Sequence, residues 1–269
     1  MKTNWAAAVL LALMPGLCFA VETSTTVIKP AAAAQLNLGK AVPQSGAVAV
    51  STRTYIDKLK DPDANVRKEA ILYLGMEKKQ KNLPYLQKML KDLDNNVRRV
   101  AIDACMRTGT AKIIGPAILE MLKSEKEVGA TNAAIDALGR IKYVEALPEI
   151  TKRLAHQFPT VRTYAIKALG EYNDPQTYPL VIEKLLDPAE GVRFEAMKVV
   201  SKLKIEPAEP NLIENLKYPM GAIRREAARA LGEVGSRAVI TELEKLKTDK
   251  DRSVAAAAAS AIENINKTK

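Results

Sequence analysis

Val66-Arg-Lys-Glu-Ala70-Ile-Leu-Tyr-Leu-Gly75 is a ten-residue stretch that the chain repeats. It returns as Val161-Arg-Thr-Tyr-Ala165-Ile-Lys-Ala-Leu-Gly170 and as Ile223-Arg-Arg-Glu-Ala227-Ala-Arg-Ala-Leu-Gly232. Weaker copies begin at Val97, Ala130, Val192 and Val254. The alanine in each copy marks the register: Ala70, Ala101, Ala134, Ala165, Ala196, Ala227 and Ala258, in steps of 31, 33, 31, 31, 31 and 31 residues. A fixed period of this size predicts tandem supersecondary units, each leaning on the next to bury its apolar face. A unit of 31 residues is too short to bury enough surface alone.

Around that stretch each unit carries two helical patterns. The outer one is clearest at Asn82–Lys91, where Leu83, Leu86 and Leu90 fall on one face. Counterparts are Ile150 with Leu154, Val181 with Leu185, and Leu212 with Leu216. Proline recurs at 84, 116, 148, 179 and 210, and a first turn tolerates its missing N–H, so five helix beginnings are expected there. Asp61-Pro62 and Asp187-Pro188 break the outer helix, and Asp63, Asp94 and Asp251 stand where an N-cap belongs. The inner helix follows, with Val66, Ala70, Ile71 and Leu74 as its apolar stripe. Gly75, Gly139, Gly170 and Gly232 are expected to end it in the left-handed conformation.

On the outer-helix proline, the Asp-x-x-x-x-Val-Arg turn and the closing Ala-Leu-Gly, the chain resembles the HEAT repeat family, in the short form found in phycobilisome-lyase-type proteins. The resemblance spans about Thr52 to Asn266, in seven units. It implies an all-α fold, a right-handed α-solenoid of about seven helix pairs. It also implies that Asp61, Asp92 and Asp187 and the arginines after the Val position (Arg67, Arg98, Arg162, Arg193, Arg224) form a ladder between adjacent units. The third unit departs from the pattern: it holds two extra residues within Ser124–Gly129 and replaces Val-Arg by Ala130-Thr131. A local change of curvature is expected there. The run Ala255–Ala259 reads as a terminal cap with reduced burial.

The first 51 residues are of another kind. Lys2, the apolar run Trp5–Met14, Pro15-Gly16 and the small residues before position 21 read as a secretory signal over residues 1–20. The run is too short for a comfortable membrane span. Residues 21–51, rich in Ala, Pro, Ser and Thr, read as a flexible tether, with a short amphipathic helix compatible with Ala31–Leu38. Residues 52–269 make the repeat array. The formal charge is +10, and loss of Lys2 with the leader leaves +9, which favours acidic partners. Cys18 falls in the leader, so Cys105 remains alone, at the place of Leu74, Leu138, Leu169 and Leu231. A buried thiol is expected there, with no disulfide and no soft-metal cluster.

Six places after the Val position the units read Leu72, Asp103, Asp136, Lys167, Lys198, Arg229 and Ser260. Stacking would align Lys167, Lys198 and Arg229 as a basic row on the concave side, about 10 Å apart, with Tyr164, Phe194 and Arg225 beside it. These six residues are the candidate partner-binding site. Glu77-Lys-Lys-Gln-Lys81 reads as a solvated basic loop. His156 is the one histidine, at a turn place held elsewhere by Asp, and Gln157 follows it. The repeated His-Glu pairs of HEAT-like di-iron hydroxylases are therefore missing. No phosphate loop, nucleophile elbow or Cys/His metal spacing is found, so no cofactor or metal is expected.

The expectation is a non-catalytic protein, exported to the periplasm or beyond, that holds a protein partner on its concave face as a scaffold. Two alternatives stand beside it: a binder of anionic envelope polymer or lipid, and a bilin-lyase-like enzyme or accessory subunit. Nucleic acid is disfavoured by the export signal, and no transmembrane segment is expected once the leader is removed.

Overall fold

The computed structural model describes residues 52–268. The leader at 1–20 and the tether at 21–51 lie outside the described residues. Within them the chain is all-α. Seven pairs follow one another: α1 (Thr52–Lys58) with α2 (Ala64–Met76), α3 (Leu83–Met89) with α4 (Asn95–Thr108), α5 (Ala111–Ser124) with α6 (Val128–Arg140), and α7 (Leu147–Lys152) with α8 (Pro159–Tyr172). Then come α9 (Tyr178–Glu183) with α10 (Glu190–Leu203), α11 (Glu209–Asn215) with α12 (Gly221–Val234), and α13 (Ile240–Leu246) with α14 (Arg252–Thr268). This is the α-solenoid that the repeat period implied.

The even-numbered helices pack on one another in unbroken series, whereas the odd-numbered ones touch chiefly their own partners. The even-numbered helices thus form a continuous inner layer, and their solvent side is the face expected to be concave. The seven marker alanines are fully buried. Leu83, Leu86, Leu90, Ile150, Leu154, Val181, Leu185, Leu212 and Leu216 fill the space between layers. Burying an aliphatic side chain of this size contributes about 1.5–3 kcal/mol, and each unit supplies several.

Pro84, Pro148, Pro179 and Pro210 stand in the first turns of α3, α7, α9 and α11. Pro116 does not. It sits inside α5, which begins at Ala111 as one continuous helix. In α3, α7, α9 and α11 a 3-10 turn precedes the helix. Without that turn the proline of the third unit falls one and a half turns in, where it deletes an internal hydrogen bond.

The glycines also correct the sequence reading. Gly75, Gly139, Gly170 and Gly232 lie within α2, α6, α8 and α12. The left-handed residues come three places later, at Lys78 (φ 50°), Lys142 (φ 52°) and Asn173 (φ 56°), and at Lys204 (φ 55°) in the fifth unit. Glycine is required for helix contact instead. A Cβ on Gly75 would come 2.8 Å from Ala104 Cβ, and one on Gly139 would meet Ala168 Cα at 2.8 Å. Gly170 faces Val199 and Gly232 faces Ala261 in the same way. Each pair spans one inner helix and the next, 29 residues on. Bare backbone at that place lets consecutive inner helices close up.

Asp63, Asp94 and Asp251 cap as expected, accepting N–H groups of Asn65, of Asn96 and Val97, and of Ser253. In the Glu77–Lys81 loop residues 78–81 are exposed, as expected of a solvated run, while Glu77 is held by neighbours. Glu77 receives Thr52 Oγ1 at 3.0 Å, Lys79 Nζ at 2.6 Å and Asn82 Nδ2 at 2.8 Å. The Lys79 contact, followed by that of Asn82, holds its carboxyl below the ordinary range. Cys105 is fully buried, and burial pushes its thiol up to about 12.

Candidate functional site

The turns between outer and inner helices carry the ladder. Arg67 Nε and Nη2 both bond Asp92 at 2.8 Å, while its Nη1 donates to the carbonyls of Asp61 and Pro62. Each arginine thus closes its own turn and clasps the carboxylate of the next unit. Arg162 does the same with Asp187, at 2.8 and 2.7 Å, and Arg224 with Asp249, at 2.8 Å twice. The partner lies 25 residues on in each case. Arg98 reaches Glu125 instead, 27 residues on, because the two inserted residues lengthen this unit. At Arg193 the carboxylate place is Tyr218, and the guanidinium lies 4.6 Å from that ring's centre while also donating to Asn215.

The ladder breaks once among the described residues. Thr131 replaces the arginine, and 25 residues on His156 replaces the aspartate. Both ends of the rung are substituted, so neither charge is stranded. His156 keeps the turn: its Nδ1 accepts the N–H of Phe158 at 3.2 Å, as Asp61, Asp92 and Asp187 do for the residue two places on. Arg153 supplies a tie across the same boundary, donating to the carbonyl of Leu122 at 2.7 Å.

This arrangement predicts a pH dependence. Burial, then the charges of Arg153 and Arg162, hold the His156 imidazole below its ordinary range. The folded chain therefore binds that proton less readily than the unfolded chain, where histidine titrates near ~6.5. The stability His156 contributes is whole above that value and is lost as pH falls through the lower native one. Urea midpoints taken from pH 7.5 down to 5 should fall for the natural chain and stay nearly level for His156→Asp. Parallel slopes would show that His156 is not responsible.

On the exposed side of the inner helices the sequence row is present. Lys167, Lys198 and Arg229 are exposed, one on each of α8, α10 and α12. Each meets a carboxylate, however. Lys167 Nζ bonds Asp136 of the preceding unit at 2.7 Å and lies 5.7 Å from the Tyr164 ring centre. That hydrogen bond raises the lysine above its ordinary range. Lys198 meets Glu195 at 3.4 Å and sits 5.2 Å from the Phe194 ring centre, and Arg229 meets Glu226 at 3.7 Å. Arg225 is half-buried and donates to Ser253 at 3.4 Å. The six candidates thus line one surface, as a patterned strip of both signs with two aromatic faces. Glu195 and Glu226 were missed in the sequence reading, although their i, i+3 spacing to Lys198 and Arg229 was visible there.

Where the row changes sign the surface is hollowed. A pocket of about 490 Å³ lies where α4, α6 and α8 meet, bordered by Arg99, Asp103, Asp136, Arg140, Tyr164 and Lys167. A second, larger cleft of about 900 Å³ opens between α3 and α5 beside the insertion, with Leu93 almost wholly exposed at its edge. Among the described residues no three His, Cys, Asp or Glu side chains group to hold a metal ion, and no helix is long and apolar enough to cross a membrane.

Stacked helix pairs joined by an Arg-carboxylate ladder define the class: an α-solenoid built from repeats. A model of HEAT repeats matches residues 52–124, 147–217 and 179–263, well over half of the chain, and the chain belongs to the HEAT repeat family. Among solved structures it is similar to YibA of Escherichia coli, at 23% identity and a TM-score of 0.63, covering 81% of each chain. It is also similar to the CpcE–CpcF complex of phycocyanin lyase from Nostoc sp. PCC7120, at 20% identity and a TM-score of 0.50, covering 84% of this chain and 98% of that one. An engineered protein matches at 19% identity and a TM-score of 0.55, over 80% and 68% of the two chains. At these identities the likeness is one of fold. No curated protein sequence matches the chain.

Proposed function

We propose that this protein is an exported, non-catalytic scaffold that holds a polypeptide partner along its concave face. The observation that carries the reading is the pairing of Lys167, Lys198 and Arg229 with Asp136, Glu195 and Glu226. A row of bare cations would suit any polyanion. A strip in which the three cations of the row each face an acid, with Arg225 bonded to Ser253, carries both signs and favours a partner whose own charges alternate in register. Tyr164 and Phe194, half-buried beneath the lysines, add apolar contact of the kind that anchors protein interfaces. The same pairing weighs against the anionic polymer or lipid reading, because a uniform negative surface would have to displace three carboxylates. Export rests on the leader read over residues 1–20. The likeness to phycocyanin lyase subunits is one of fold and supplies no residue for bilin transfer.

Combining Lys167→Glu, Lys198→Glu and Arg229→Glu sets an exposed acid beside each of the half-covered carboxylates of Asp136, Glu195 and Glu226. Capture of partners from the cell envelope by the altered chain should fall at least about tenfold, equivalent to 1.4 kcal/mol, while helicity by circular dichroism is unchanged. Undiminished capture would remove the site. Binding to anionic vesicles that collapses with added salt would favour the lipid alternative.

A further inference from the structure

Consecutive inner helices close up where a glycine of one meets a small side chain of the next, as Gly75 meets Ala104 and Gly139 meets Ala168. Unit two carries Met106 at the place of those glycines. A long side chain there keeps bare backbone from meeting α6, and the hollow of about 490 Å³ lies at this boundary, where α4, α6 and α8 meet. Met106 lines it together with Ala133 and Tyr164, all three half-buried against the core. Part of the hollow is therefore apolar.

The rest of its lining is polar and unmatched. Two and six residues past the Val position, one helical turn apart, unit two sets Arg99 and Asp103, and no other unit has opposite charges at both places. Both are exposed on α4, and neither has an ion pair among the described residues. Arginine before aspartate is the weaker order for an i, i+4 pair, which leaves the two charges to other groups. Neighbouring charges are taken: Lys167 and Arg140 both turn to Asp136, at 2.7 and 3.7 Å, and Lys202 turns to Glu171 at 2.9 Å. Asn132 stands at the place of Arg99 on α6 and also lines the hollow, and its buried Oδ1 has no hydrogen-bond donor.

A simple anion would suit Arg99 and be repelled by Asp103, and a simple cation would meet the reverse. A ligand carrying both charges on neighbouring atoms answers both residues. We propose that the hollow binds a free α-amino acid with an apolar side chain. Its carboxylate takes the Arg99 guanidinium in the two-pronged pairing that arginine offers. Its ammonium takes Asp103, and its side chain lies on Met106 and Ala133 against Tyr164. A turn of the Asn132 carboxamide toward the ammonium gives Oδ1 its missing donor. This ligand is separate from the polypeptide partner, although Lys167 and Tyr164 border both sites.

Calorimetric titration of the full chain at neutral pH tests it with three probes: L-leucine, N-acetyl-L-leucine, which lacks the ammonium, and L-leucinamide, which lacks the carboxylate. Leucine should bind with a Kd below about 1 mM, and each blocked form at least about tenfold more weakly. Arg99→Gln should weaken leucine about tenfold and make it equal to leucinamide, whereas Asp103→Asn should make it equal to N-acetyl-leucine. Lys202→Gln, outside the hollow, should change nothing. Three probes of equal strength, leucine held equally by the natural chain and both variants, or no leucine binding at millimolar concentration would overturn the proposal. The titration contains no polypeptide partner, so its failure would leave the scaffold reading standing, and failed partner capture would leave this site standing.

Discussion

Arg162→Ala should lower stability by about 3 kcal/mol, the range for breaking a buried ion pair by removing one partner. Arg162 and Asp187 are 9% and 6% exposed, and the guanidinium also serves the carbonyls of His156 and Gln157. Its removal strands a carboxylate and opens a turn at once. Burial alone would raise the Asp187 carboxyl, but Arg162 and the N–H of Ala189 outweigh it and hold the group below the ordinary range. The loss should concentrate where the fourth and fifth units meet, since stability in a solenoid is a sum over units and boundaries. Urea denaturation would report its size, and faster amide exchange in α8 and α10 its place. Lys202→Ala is the control: its pair with Glu171 is exposed and should matter by less than about 1 kcal/mol. A comparable effect from both variants would mean that the ladder is ornamental.

The second large effect runs against helix propensity. Alanine is the better helix former by about 1 kcal/mol, yet Gly139→Ala should destabilise by about 1–3 kcal/mol, as overpacking does. The added methyl would stand 2.8 Å from both Cα and Cβ of Ala168. Backbone cannot swing aside as a long side chain can, so α6 and α8 must separate. At Gly129, in the first turn of the same helix, an added methyl would meet nothing within 4 Å. Gly129→Ala should stabilise by up to about 1 kcal/mol. Opposite signs in two glycines of one helix are the diagnostic result, read from urea midpoints. If both stabilise, the close approach of inner helices is not what requires glycine.

These two sites show what could be read from residues in order. Period, helix pairing, the buried alanines, the capping aspartates and the inert Cys105 all followed from local rules that need no neighbour in space. The glycines were misassigned because closing a helix and admitting a neighbouring helix leave the same mark in a sequence, a glycine near a helix end. Pro116 was misplaced because its spacing matches the other prolines, while the length of α5 depends on packing around the insertion. The basic row was legible, but its neutralisation was only partly so: Glu195 and Glu226 are neighbours along a helix, whereas Asp136 reaches Lys167 across a unit boundary.

By itself the sequence determined that this chain stacks helix pairs, since a repeating apolar pattern admits few other ways to leave water. Tertiary structure alone decided which charges meet, where the ladder breaks and switches to Tyr218, and that a pocket opens at the change of sign. Those outcomes depend on side chains some 25 to 31 residues apart, brought together by the rise and rotation from each unit to the next.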